Sequence, residues 1–385
     1  MHASRCSELL ERFLWLLLLA CGSFSLKFDP SRQQFSCSRK HALYCVAVTV
    51  VFAIGTPAAM VTIYHHVDGT YVPIASFLIA VQLCFMYLFM IIVNVTMLVN
   101  ARKLCYTLNA LFALRSTVLR EWNYSRPQRQ YAKFLFFKVI FVDMALLTFS
   151  MLTFYTLQER GPTGGDLAVG LAFFSFRYLM TALVNVYLVG LKVGILIQGS
   201  INRKLASFAR AAEATKGIES MWRQVYLLHC KNTALEKQFM SIINLPVLLL
   251  NCWYFFMIVV SAYYMYTATI EELKLGLGVE DIVKYVNPVT FFLYLIIQLY
   301  YMVSIPALLT ERSKQMLPIL GSTGQRHGGR MERLGELITL DYIQTDYSVN
   351  NYGMYELNRA LLFGIIATVT SYVIILVQFH IQEYG

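Results

Sequence analysis

Ala360–Phe379 reads ALLFGIIATVTSYVIILVQF, twenty residues without one formal charge. At 1.5 Å per residue a helix of this length covers about 30 Å, the hydrocarbon thickness of a bilayer. Only a helix suits such a segment, because lipid offers no partner to an open backbone N–H or C=O. Six earlier stretches repeat the pattern: Ala42–Tyr64, Val72–Val99, Phe134–Leu157, Leu167–Ile197, Leu245–Tyr266 and Pro288–Leu309. The whole chain agrees with them, being 57% hydrophobic and 14% charged over 385 residues. The expected fold is an all-α membrane protein with seven transmembrane helices.

Orientation follows from where the cations fall. Of 32 Lys and Arg residues, 26 lie in the N-terminal segment and in the second-to-third, fourth-to-fifth and sixth-to-seventh connections. The remaining connections and the tail hold 3, and Lys138, Arg177 and Lys192 lie inside spans. Cationic short loops stay cytoplasmic. The N terminus is therefore expected to be cytoplasmic and the C terminus extracellular. The cytoplasmic connections run to 34, 47 and 50 residues, and much of them has helical spacing. The fourth span exceeds what a crossing needs and is expected to continue into the cytoplasm as a helix.

Phe13–Cys21 (FLWLLLLAC), preceded by Arg5 and Arg12, has the composition of a signal peptide. Cleavage there would place Arg32, Arg39 and Lys40 outside, against the charge pattern. A helix on the inner membrane face or against the bundle is the alternative. The eight cysteines include no CxxC pair and none in an expected external loop, so no structural disulfide is expected.

Catalytic signatures are absent: there is no HExxH, no Walker loop and no GxSxG. The sequence thus implies neither an enzyme nor a cofactor. The net charge of +10 alternates by topology instead of forming a patch. That favours anionic lipid headgroups as its partner and argues against nucleic acid. His65-His66 offers too few ligands for a metal.

Charges within spans are costly and point to function. Asp143 and Arg177 both fall near the midplane and are expected to pair, either beside a polar cavity or as a purely structural bridge. Lys138 and Lys192 lie closer to the inner face, where they can snorkel. The expected outer halves of the spans collect aromatics with interspersed polar groups. The candidate ligand pocket comprises Asp143, Ser150, Phe154, Phe174, Arg177, Tyr178, Tyr264 and Gln298. Aromatics at this spacing serve equally as packing and interface anchors.

The C-terminal tenth is the most specific part. Gly353-Met354-Tyr355-Glu356-Leu357-Asn358 leads into the last span, which carries Ser371-Tyr372, five apolar residues (Val373–Val377) and Gln378-Phe379. Ser371, Ile375 and Gln378 share one helical face. Here the chain resembles the insect gustatory receptors, whose signature is Thr-Tyr, five hydrophobic residues, then Gln-Phe. Ser371 stands where the family usually has Thr and keeps the hydroxyl.

The resemblance implies a ligand-gated, non-selective cation channel in the plasma membrane of gustatory receptor neurons. It also implies a small-molecule tastant as ligand and a tetramer formed alone or with related receptors. Ser371, Tyr372, Ile375, Gln378 and Phe379 would line or gate the pore. Three units follow: a cytoplasmic segment (1–41), a six-helix bundle with the ligand pocket and cytoplasmic helices (42–309), and a linker with the pore-lining helix (310–385). A receptor signalling through a G protein would need the opposite orientation. A transporter would need an internal repeat, and none is visible.

Overall fold

The computed structural model describes residues 2–20, 22, 24–29, 34–68, 73–122, 125–146, 148, 164–211, 218–275, 282–319 and 330–384. The chain opens with α1 (His2–Ala20) and a hairpin of β1 (Leu26–Asp29) and β2 (Gln34–Cys37). Helices α2 (Arg39–Asp68), α3 (Pro73–Val99), α4 (Ala101–Trp122) and α5 (Ser125–Phe136) follow, and α5 runs on as a π-helical turn, Phe137–Asp143. Then come α6 (Gly164–Ala211), α7 (Ile218–Leu275), α8 (Ile282–Lys314) and α9 (Arg330–Gln344). A short hairpin of β3 (Asn350–Asn351) and β4 (Tyr355–Glu356) introduces α10 (Arg359–Tyr384).

Six of the described helices, namely α2, α3, α6, α7, α8 and α10, are long and apolar enough to cross a membrane. The third expected span begins in α5 and its π turn, and its outer half lies outside the described residues. The protein is an all-α, multi-pass membrane protein, as its apolar runs require.

Helix α6 is the central post. Along it Val184, Tyr187, Leu188, Leu191, Val193, Ile197 and Ile201 are all but fully buried. As expected, it continues well past its span, reaching 48 residues. Gly190 and Gly194 bring α7 close against this post. A methyl group on Gly190 would strike the Phe239 ring, and one on Gly194 would strike the Glu236 carboxylate. Small residues four apart make a flat strip on which a second helix can lie.

The amino-terminal unit packs onto the bundle. Leu14, Trp15 and Leu18 of α1 are buried while Phe13 and Leu16 stay exposed, so one face of this helix packs against the bundle, as its packing-helix reading expects. Arg115 of α4 donates to Glu11 at 2.7 Å while its guanidinium lies over the rings of Phe112 and Tyr131. The hairpin extends this cluster: Trp15 stacks on Phe24 at 5.3 Å and meets Phe35 edge-on at 4.8 Å. Asn109 then clamps β2 to α4. Its amide accepts from the Phe35 N–H at 2.6 Å and donates to the Phe35 carbonyl at 2.8 Å.

The lead-in to α10 has a structural reason at each position. Tyr352 (φ 52°) and Gly353 (φ 72°) both take left-handed backbone angles, closing a tight hairpin in which the Met354 N–H reaches the Asn351 carbonyl at 3.0 Å. Glycine takes this conformation without penalty. Tyr355 accepts from Asn251 of α7 at 2.9 Å, and Leu357 is buried in the core. Asn358 caps the helix by accepting from the Leu361 N–H at 3.1 Å.

Two substitutions on α6 should separate the helix contact from helix propensity. Gly190→Ala should lower the thermal midpoint of the detergent-solubilised protein, because Phe239 must move. Gly199→Ala meets nothing within 4 Å and should raise stability by about 1 kcal/mol, since glycine is a poor helix former.

Candidate functional site

The buried polar centre is built around Asp143, at the end of the π turn. Its carboxylate receives Lys138, Asn185 of α6 at 2.9 Å and Gln298 of α8 at 3.5 Å. In an α-helix, residues five apart point about 140° away from each other. The wider π turn, whose hydrogen bonds run between residues five apart, brings Lys138 and Asp143 together. The expected Asp143–Arg177 bridge does not form, and Lys138 does not snorkel, being buried against this carboxylate. Arg177 instead places its guanidinium over the Phe291 ring, 4.8 Å from its centroid. Lys192 lies over Phe134 at 4.6 Å.

Outward from this centre is a narrow cavity between α3, the third span, α6, α7 and α8, with room for about one water molecule. Trp253 forms an aromatic wall with Phe176, which it meets edge-on at 5.2 Å, and Phe85, on which it stacks at 5.5 Å. Met86, Met180 and Met257 add adaptable apolar surface. Gln82, Arg177, Tyr254 and Tyr294 bring polar groups to the lining. The Tyr294 hydroxyl is held by Thr181 at 2.7 Å, which fixes its position within the wall.

A second small cavity lies between α1, the π turn and α6 and includes Asp143, Tyr178, Thr181 and Asn185 in its lining. The sequence-derived pocket residues are therefore distributed over several places. Arg177 lines the first cavity, and Asp143 and Tyr178 line the second. Phe174 meets Tyr178 at a tilt with ring centroids 4.6 Å apart, and Gln298 is wholly buried in the polar centre. Tyr264 packs with Leu376 of α10 around the Leu78–Val260–Tyr263 cluster. Ser150 and Phe154 lie outside the described residues, as do the side chains of His65 and His66.

Helix α10 rests against the bundle on one flank only. Leu361, Ile365, Val369 and Leu376 touch the core, and the Tyr263 hydroxyl lies 3.4 Å from His380 Nδ1. No part of its apolar stretch is fully buried. Gly364, Ala367, Ser371, Ile375 and Gln378 follow one another at helical spacing along an exposed stripe. Tyr372 turns away from that stripe and meets Phe255 of α7 edge-on at 5.9 Å. Phe379 stands exposed about 40° around the helix from Ile375.

The family model described as "7tm Chemosensory receptor" matches residues 11–383. The chain belongs to that family. Solved structures of the insect olfactory receptor OR5 from Machilis hrabei are similar to this fold. The structure in complex with eugenol superposes with a TM-score of 0.68 at 12% identity, covering 98% of this chain and 100% of that one. A second structure of OR5 gives 0.67 at 11% identity, with 96% and 97% covered. At such identity the likeness is one of fold. Comparison with curated protein sequences returns no match.

For this chemosensory receptor, sequence reasoning missed Gln82, Met86, Phe176, Met180, Trp253, Tyr254 and Met257. Their spans are apolar all round, so no stripe marks which face looks inward. One signal was available. Trp253 and Tyr254 lie one turn before Met257 on the same span, a cluster of large side chains on neighbouring faces.

Truncating Asp143 should leave a buried ammonium without its partner, a loss of about 3–5 kcal/mol. Asp143→Ala should therefore abolish surface expression. The double variant Lys138→Met/Asp143→Leu should recover much of it, and exchanging Asp143 with Arg177 should recover none. Surface biotinylation of all three variants checks the assignment.

Proposed function

We propose that this chemosensory receptor is a gustatory receptor: a tetrameric, ligand-gated, non-selective cation channel opened by a small organic tastant. The observation that carries this reading is α10. Its long apolar helix leaves the Ser371–Ile375–Gln378 stripe uncovered within the single chain. Three further copies arranged around an axis would cover its flanks and leave that stripe facing a central path. The gustatory assignment, rather than an olfactory one, rests on the Ser371-Tyr372 to Gln378-Phe379 signature. The same reading places the receptor in the plasma membrane of gustatory neurons, with its carboxyl end outside.

The lining of the first cavity supports the ligand class, which would enter as Met86, Met180 and Met257 move aside. Aromatic walls around Trp253 and a cation at Arg177 suit a small aromatic molecule bearing an acceptor or an acidic group. Gating then follows from α7. It carries Trp253, Tyr254 and Met257 in the cavity, while Phe255 and Tyr263 on the same helix hold α10 through Tyr372 and His380. A ligand that fits the cavity better when α7 is displaced draws α10 with it. At the pore, an apolar ring at Ile375 and Phe379 excludes water when narrow. Rotation that brings Gln378 forward restores a wetted path.

Expression in a cell without taste machinery, a compound screen and current recording test this proposal. Trp253→Ala should shift the half-maximal concentration of an active aromatic compound by tenfold or more while leaving unitary conductance unchanged. Gln378→Ala should change conductance or open probability and leave that concentration within about twofold. Protein that reaches the surface yet passes no compound-evoked current would refute the channel reading. So would a C-terminal tag that antibody cannot reach on intact cells.

A further inference from the structure

We propose that Cys37 of β2 and Cys105 of α4 form a peroxide-responsive thiol pair that closes to a disulfide on the cytoplasmic side. The two side chains are interlocked. Cys37 directs its thiol to the Ala101 carbonyl, one turn before Cys105, at 3.9 Å. Cys105 donates to the Phe35 carbonyl, two residues before Cys37, at 3.3 Å. The two thiols are also near enough that a charge on Cys37 opposes ionisation of Cys105. Their register is held by the Asn109 amide, which bonds both backbone groups of Phe35 and reaches the Cys105 sulfur at 3.7 Å. This pair is built into a clamped contact, unlike the exposed Cys84 and Cys252, whose thiols lie on separate helices of the bundle.

The two cysteines differ in a way that assigns their roles. Cys37 is exposed and Cys105 half-buried. Burial pushes the Cys105 thiol up to about 11, so it stays protonated at cytosolic pH with its S–H on the Phe35 carbonyl. Peroxide therefore meets Cys37 first. The Cys37 sulfur attacks one peroxide oxygen, the O–O bond breaks, and Cys37 becomes a sulfenic acid with release of water. The Cys105 sulfur then attacks the Cys37 sulfur. An S–S bond forms, the S–O bond breaks, and the departing hydroxide takes the Cys105 proton as a second water. Two thiols lose two electrons and one hydrogen peroxide becomes two waters. In a reducing cytosol the resting state is the dithiol, and cytosolic disulfides of this sort are transient. Once closed, the bond fastens the hairpin that supports Trp15 of α1 to the base of the α3–α4 turn.

The test uses the full-length protein in detergent. It is treated with hydrogen peroxide, blocked with N-ethylmaleimide, digested and read by non-reducing mass spectrometry. A linked peptide joining Cys37 to Cys105 should appear with peroxide and vanish with dithiothreitol. It should be absent from Cys37→Ser and from Cys105→Ser. Asn109→Ala should cut its yield several-fold while leaving both cysteines reactive to maleimide. Should peroxide leave both thiols open to maleimide, or carry Cys37 to the sulfinic acid with no linked peptide, the pairing is wrong.

Discussion

The close approach of α6 and α7 at Gly190 and Gly194 governs where everything else can sit. Here, at the inner end of the bundle, the fit is set by shape and hydrogen bonding. Gly190 supplies the shape by admitting the Phe239 ring. Asn232 supplies the bonding by reaching the Gly194 carbonyl at 3.3 Å and the Glu236 carboxylate beside it. With α7 fixed against the post, its membrane half presents Trp253 and Tyr254 inward and Phe255 toward α10. The cavity and α10 thereby lie on two sides of one element.

A second constraint is that ionisable groups in an apolar setting must find partners. The bundle meets it at Asp143 with a lysine from its own helix and amides from α6 and α8. Three elements thus converge on one carboxylate, which fixes their relative depth as a bolt fixes plates. The π turn is the local distortion that makes this convergence feasible. It lies in the inner half of the third span, next to the cavity that α1 helps to enclose.

Spans, their number and their cationic connectors were legible because hydrocarbon imposes the same demand on every crossing segment. The lead-in to α10 was legible as a pattern, and the structure gives its cause: a turn at Gly353, an anchor at Tyr355, a plug at Leu357 and a cap at Asn358. The partner of Asp143 was not legible. Helical spacing assumes 3.6 residues per turn, and the π turn breaks that assumption between Lys138 and Asp143. The cavity lining was hidden for a different reason. Uniformly apolar helices such as α3 and α7 carry no sequence record of their rotation, so Tyr264 reads much like Tyr254 although one faces α10 and the other the cavity. The Gly190–Gly194 strip was present in the sequence, but its meaning depends on Phe239, some fifty positions away.

Helix α7 runs unbroken for 58 residues, close to 87 Å at the standard rise, from the cytoplasmic layer through the membrane. Pro246 interrupts its hydrogen bonding once, where the apolar span begins. Having no N–H, this proline leaves the Ile242 carbonyl without its rung in the ladder. The rod is thus stiff on both sides of one soft joint level with the inner leaflet. On the gating proposed above, movement beside Trp253 would tilt the upper arm about that joint while the lower arm kept its grip on the cytoplasmic helices.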